Sequence, residues 1–204
     1  LMRLGLAAQA LDPFVRAARV ELEREVQAFN ETFFLVGARA GRLFVLDKVE
    51  GSGLLRAAPN IGSEVPVETT ASGRLYLGLS PATLAADAGA RVTRSAIARA
   101  LAQGYDLNQG EWIAGLTVVA APVVALGRMF GTVACGGAAS QLSGARLEEA
   151  VRRTREVTAR IVQVLSGQRG EQSKGQARAP ARMPKEMARA GARSSKEPRA
   201  RART

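Results

Sequence analysis

The stretch over residues 62–79, "GSEVPVETTASGRLYLGL", sets a proline and a group of Ser and Thr hydroxyls directly before a short apolar run. Two kinds of chemistry use such a start. In one, Thr70 or Ser72 is an N-cap whose side-chain oxygen takes up an orphan amide of a first helical turn, with Leu75, Leu77 and Leu79 facing inward. In the other, the backbone amides around Ala71, Ser72 and Gly73 receive an anion such as a carboxylate, favoured by the helix dipole. Local sequence leaves both readings open. Further on, "DLNQGEW" offers Asn108 and Glu111 either as polar ligand contacts or as a solvated turn. Leu116 and Val118 line either a pocket or the core, because alternation marks a buried face without saying what lies against it. Trp112 reads as core or dimer packing ahead of ligand stacking.

Most catalytic chemistry is removed by composition. The chain has no histidine and one cysteine, Cys135, which excludes Ser-His-Asp and Cys-His nucleophiles, Cys/His zinc sites and intramolecular disulfides. Cys135 stands in the apolar run "GTVACGG" and reads as an inert core thiol. The carboxylates are scattered, with no pair joined on one element for acid/base work. The expectation is therefore a protein with no catalytic residues, no metal and no cofactor.

The elements that must position these residues follow from periodicity. Asp12 and Pro13 open a helix over residues 11–29 in which Phe14, Ala18, Leu22, Val26 and Phe29 share one face. "TFFLVGA" and "RLFVLDKVE" form a hairpin turned near Gly41, and residues 54–57 are a candidate third strand. "PNIGSEVPVETT" reads as irregular and leads into the helix opened by residues 70–73. Thr93 caps the next helix and Gly104 stops it; residues 105–107 begin another strand. "GLTVVAAPVVAL" and "MFGTVACGG" pair about Gly127, with Pro122 at an edge or bulge. Ser143 opens a long helix carrying Leu147, Val151, Thr154, Val157, Ile161 and Val164, closed at Gly167. Hairpins interrupted by helices predict an α+β fold with a largely antiparallel sheet flanked by helices.

The charge is unevenly spread. Of the net +11, residues 168–204 hold eleven Lys/Arg and three Asp/Glu, which is +8 and leaves +3 for residues 1–167. That segment, rich in Pro, Gly and Arg with Met as its only large apolar residue, reads as a disordered basic tail. A non-specific nucleic-acid binder acting through it is one alternative function. No apolar run approaches the ~18 residues of a membrane span, and "LMRLGLAAQALDP" lacks the pattern of a secretory leader, so a cytoplasmic protein without membrane contact is expected. Leu1 is not Met, which points to a piece of a longer chain or a processed one.

The order and wording of these segments resemble the effector-binding domain of IclR-type bacterial transcription regulators. The likeness starts at "RLG", residues 3–5, and runs through "GSEVPVETTASGRLYLGLSP" to "AQGYDLNQGEWIAGLTVVAAPV", with Gly104, Tyr105, Glu111, Gly115, Ala120, Ala121 and Pro122 in register. It spans about residues 3–167 and rests on the order of several weak motifs. The resemblance implies a GAF-like (profilin-like) fold and an effector site at Ala71, Ser72, Gly73, Asn108, Glu111, Leu116, Val118, Ala134 and Gly136. It divides the chain into the remnant of a winged helix-turn-helix (1–10), a linker and dimerisation helix (11–30), the effector-binding domain (31–167) and the tail (168–204).

The implied partners are a small organic acid or aromatic effector, operator DNA through an N-terminal domain missing from this chain, and further copies in a homodimer or homotetramer. A GAF-like small-molecule enzyme is the other alternative, disfavoured by the lone Cys135. The chain departs from the family pattern in several places. Asn108 stands where Asp is common, Val118 where Cys or Ser is usual, and Arg74 where Lys is usual. Val124 and Ala125 replace an aromatic and an Asp or Asn, and Ala134 and Gly136 replace serines of some members. A pocket so lined has fewer hydroxyls and one carboxylate fewer, which implies an effector less hydrophilic than glyoxylate or pyruvate, such as an aromatic or longer-chain acid.

Overall fold

Two apolar faces are written into the central strands, because residues on both sides of the alternation are hydrophobic; a sheet of that kind must be covered on both sides. The computed structural model describes residues 13–52 and 59–176, with side chains as far as residue 167. The elements run α1 (Pro13–Phe29), β1 (Thr32–Arg39), β2 (Arg42–Val49), β3 (Glu64–Val65), α2 (Ala71–Leu79), a 3-10 turn (Pro81–Thr83), α3 (Arg94–Gln103), β4 (Asp106–Gln109), β5 (Leu116–Ala125), β6 (Arg128–Ala138) and α4 (Gly144–Gln176). All strand pairs are antiparallel, in the order β3-β2-β1-β6-β5-β4. This is the α+β arrangement expected from the sequence.

One face carries Phe33, Leu35, Val119, Val133 and Cys135, covered by Phe14, Ala18, Leu22 and Phe29 of α1 and by Val157 and Ile161 of α4. The other carries Phe34, Val36, Val45, Val118, Ala120 and Ala134 under Ala71, Leu75 and Tyr76 of α2 and Ala100 of α3. Three layers result, with two separate cores.

The α1–α4 layer is held by charge as well as by apolar contact. Arg160 pairs with Glu21 at 2.6 Å and Glu25 at 2.5 Å, Arg153 reaches Glu25 at 3.2 Å, and Arg146 reaches Glu31 at 2.8 Å. The guanidinium of Arg146 also stands 4.5 Å over the Phe29 ring.

Several expectations change at the element level. The apolar face of α1 packs inside its own domain, where Phe14, Ala18, Leu22 and Phe29 are buried. Only Val20 on that helix is a large exposed apolar residue, at 60%. Residues 64 and 65, read as irregular, form an edge strand on Leu43 and Phe44. Gly167 does not close the last helix, whose backbone continues to Gln176. Leu79 points outward, 41% exposed, while Leu75 is fully buried. The candidate strand at residues 54–57 lies outside the described residues, as does the segment 1–10. Pro122 lies beyond the end of β4, whose pairing with β5 stops at Ala120, and next to the bulge at Val123/Val124, as its missing N–H requires.

Candidate functional site

The register of the sheet places most of the predicted residues in one region. Asn108 of β4 stands opposite Val118 of β5, Val118 opposite Gly136 of β6, and Gly136 opposite Thr32 of β1. Ala134 and Ala120 form the next row toward Thr132, and Leu116 starts β5 on the same face. Small residues at Ala134 and Gly136 leave the floor of the region low. The roof is the first turn of α2, with Ala71 and Ser72 buried at 1% and 4% exposure.

That turn is built by its cap. Thr70 is extended, and its hydroxyl accepts from the Gly73 N–H at 3.1 Å and donates to the Pro66 carbonyl at 2.6 Å. Gly73 is needed for a close approach: a Cβ there would stand 1.9 Å from the Val67 carbonyl oxygen. With Gly73 satisfied by the cap, the Ala71 and Ser72 amides remain without a carbonyl partner inside the helix. The Ser72 hydroxyl is not among the free groups, because it bonds to the Thr132 hydroxyl of β6 at 2.8 Å.

Arg74 and Asn108 fix this roof to the edge strand. The Arg74 guanidinium, buried at 7% exposure, bonds to the Asp106 carboxylate through Nε and to the Leu107 carbonyl at 2.6 Å. Glu111 stands 3.6 Å from the same guanidinium with its side chain half exposed, so it faces Arg74 at the rim and not the interior. Asn108, 1% exposed, donates its amide to the Thr69 carbonyl just before the cap. Its other polar atom, Oδ1, is the one buried side-chain oxygen or nitrogen among the described residues without a hydrogen bond.

A buried acceptor with nothing to accept costs about 1–3 kcal/mol, and two free amides at a helix start favour an anion. The arrangement therefore offers two amide donors to an anionic group and one acceptor to a donor. Eight of the nine predicted residues come together here; Glu111 does not. Sequence reasoning missed Asp106, Thr132 and the cap's second bond to Pro66. Only Asp106 carried a signal, as an acid two positions before Asn108 on the face that meets Arg74.

No group of His, Cys, Asp or Glu among the described residues is arranged to hold a metal ion. Cys135 is fully buried, and burial first, then the Glu31 charge, pushes its thiol pKa up. Among the described residues no helix is long and apolar enough to cross a membrane.

The family described as "Bacterial transcriptional regulator IclR C-terminal" matches residues 9–163. No curated protein matches the chain. Among solved structures, IclR of Thermotoga maritima is similar over 80% of this chain and 72% of its own, with 20% identity and a TM-score of 0.69. A transcriptional regulator of Rhodococcus sp. RHA1 is similar over 80% and 74%, with 22% identity and a TM-score of 0.71. An IclR homolog of Microbacterium hydrocarbonoxydans, solved with 4-hydroxybenzoate, is similar over 74% and 68%, with 18% identity and a TM-score of 0.62. At these identities the structures establish a shared fold, and the family match over most of the length establishes descent: the chain belongs to the IclR family of bacterial transcription regulators, as its C-terminal domain.

Proposed function

We propose that this domain senses a small carboxylic acid that lies between the first turn of α2 and the row Asn108–Val118–Gly136, and that it performs no catalysis. The observation that carries this reading is the unpaired Oδ1 of Asn108, buried beside two free helix amides. A carboxylate on the Ala71 and Ser72 amides and a hydroxyl donated to Asn108 would satisfy all three groups. The walls nearby, Leu116, Val118 and Ala134, are apolar, which favours an aromatic or longer-chain acid over a two- or three-carbon one. The 4-hydroxybenzoate bound by the Microbacterium relative carries both required groups, a carboxylate and a hydroxyl, on an apolar ring.

Binding acts on DNA by favouring one arrangement of the attached DNA-binding domains. A ligand preferring one arrangement by ~10², about 2.7 kcal/mol, gives a partial switch, and near-complete switching needs about 5.5 kcal/mol. The protein works in the cytoplasm as a homodimer or homotetramer. Its division into a wing remnant, a linker helix, a sensing domain and a basic tail belongs to the same reading.

The test is thermal unfolding over a panel of small carboxylates that includes 4-hydroxybenzoate. A ligand at ~100 times its dissociation constant adds about 2.7 kcal/mol of stability. Asn108→Leu should fold and lose that response. Ser72→Trp is a poor probe of the same site, because the Ser72 hydroxyl is packed against Thr132. A full response in folded Asn108→Leu would place the ligand elsewhere.

A further inference from the structure

Beyond the α2 N-terminus, we infer a second ligand site at the other end of the same helix, for an amphipathic carboxylate bound between Tyr76 and Arg128 with its apolar chain along Leu79 and Val124. Tyr76 is 2% exposed, and its phenolic oxygen accepts the Ala38 N–H at 3.2 Å. Its own proton is donated to no acceptor among the described residues. Burial pushes the phenol pKa up to about 12, so at neutral pH the group remains a donor. That donor lines a cavity of about 190 Å³ whose wall also includes Phe14, Arg128 and Phe130.

The Arg128 guanidinium stands 4.1 Å over the Phe130 ring, on the hairpin between β5 and β6, and no carboxylate pairs with it among the described residues. A guanidinium stacked on a ring keeps its in-plane N–H groups free for a carboxylate, and it stays charged at every physiological pH. Arg39 lines the same cavity and donates to the Ala38 carbonyl at 2.8 Å, so the Arg128 cation and the Tyr76 hydroxyl together match a single carboxylate.

A second cavity, of about 360 Å³, shares Thr83, Arg128 and Met129 with the first and extends to Leu79 and Val124. Its volume alone lies in the ~300–1,000 Å³ range of small-molecule sites. Leu79 and Val124 are 41% and 42% exposed, an apolar strip that continues from a polar end. The groove thus has a head for an anion and a track for an aryl or alkyl chain.

The position gives such a ligand a lever. Phe14 lies in the first turn of α1 and packs on Phe130 with ring centroids 6.2 Å apart. It can do so because Gly131 has no side chain; a Cβ there would stand 2.6 Å from the Phe14 ring. A ligand in the groove therefore touches the start of α1 while sitting on α2, whose other end forms the effector site. Occupancy at one site would be felt at the other through one short helix.

The experiment titrates the full 204-residue chain with 4-phenylbutyrate, read by amide NMR shifts and calorimetry. Saturable binding with shifts centred on Tyr76, Arg128 and Leu79 is expected. Arg128→Gln and Tyr76→Phe should each weaken it about ten-fold, the usual weight of a charge-assisted hydrogen bond. The neutral 4-phenylbutanamide should weaken similarly, and Asn108→Leu should bind the acid normally. Four results would overturn the inference: no saturation by about 10 mM probe, undiminished affinity in Arg128→Gln, loss of binding in Asn108→Leu, or a lower mass by light scattering in Arg128→Gln without loss of affinity. The third would put the probe in the effector site, and the last would make the groove a contact between copies.

Discussion

At Gly73 the chain has no room for a β-carbon, since the Val67 carbonyl occupies the place. Gly73→Ala must push the residue 66–69 loop away from α2, and overpacking of this kind costs about 1–3 kcal/mol. The check is the urea midpoint at unchanged slope, where a shift toward wild type would mean that the loop yields freely. The cap at Thr70 and the free amides of Ala71 and Ser72 turn out to be compatible, because the cap takes the third amide only. Local sequence presents these as alternatives; the hydrogen bonds make them parts of one turn. Cys135 gives a second prediction. Fully buried, with its thiol pKa pushed up, it should resist iodoacetamide in the native protein and react completely in urea, at a native rate set by opening of the domain.

At the scale of elements, α1 is bound to α4 by Arg160, Arg153 and Arg146 acting on Glu21, Glu25 and Glu31. Glu21 and Glu25 are 7% and 5% exposed, so removing Arg160 leaves each buried carboxylate with one cation, Arg24 on Glu21 and Arg153 on Glu25. Arg160→Ala is expected to cost about 2 kcal/mol, below the 3–5 of a fully buried pair because Arg160 itself is partly solvated. Adding Glu21→Gln and Glu25→Gln should recover part of that loss in a urea titration. The same scale shows why one glycine ends a helix and another does not. Gly104 adopts a left-handed φ of 69° and takes the last carbonyls of α3, whereas Gly167 is passed by a helix that continues nine residues to Gln176. Glycine permits the left-handed turn without imposing it, so composition cannot tell the two apart.

For the whole molecule, charge and apolar surface point to different partners. Residues 1–167 carry +3 and residues 168–204 carry +8, so DNA affinity of this 204-residue chain should be weak, indifferent to sequence and resident in the tail. With about five cations engaged, the slope of log affinity against log salt should be near −4 to −5. Sequence preference, or binding that survives removal of residues 168–204, would show that the folded domain itself contacts DNA. Self-association is a separate matter. Light scattering at tens of micromolar should give a dimer or larger, with exposed apolar residues such as Val20, Ile113 and Leu126 as candidates for the surface responsible.

Periodicity determined most of the elements and a largely antiparallel sheet flanked by helices, but not the edge strand at residues 64–65 or the end of the last helix. Motif order alone determined the family. Tertiary structure decided what those elements leave unsatisfied. Asn108 is a turn residue until register sets it beneath Thr69 with one oxygen unpaired, and Glu111, three positions on, is turned to Arg74 at the rim. Tyr76 is one more apolar position on α2 until Ala38 takes one side of its hydroxyl and leaves the proton facing a cavity beside Arg128. Hydrogen bonds between residues more than thirty positions apart depend on register and layer order, and no local spacing encodes them.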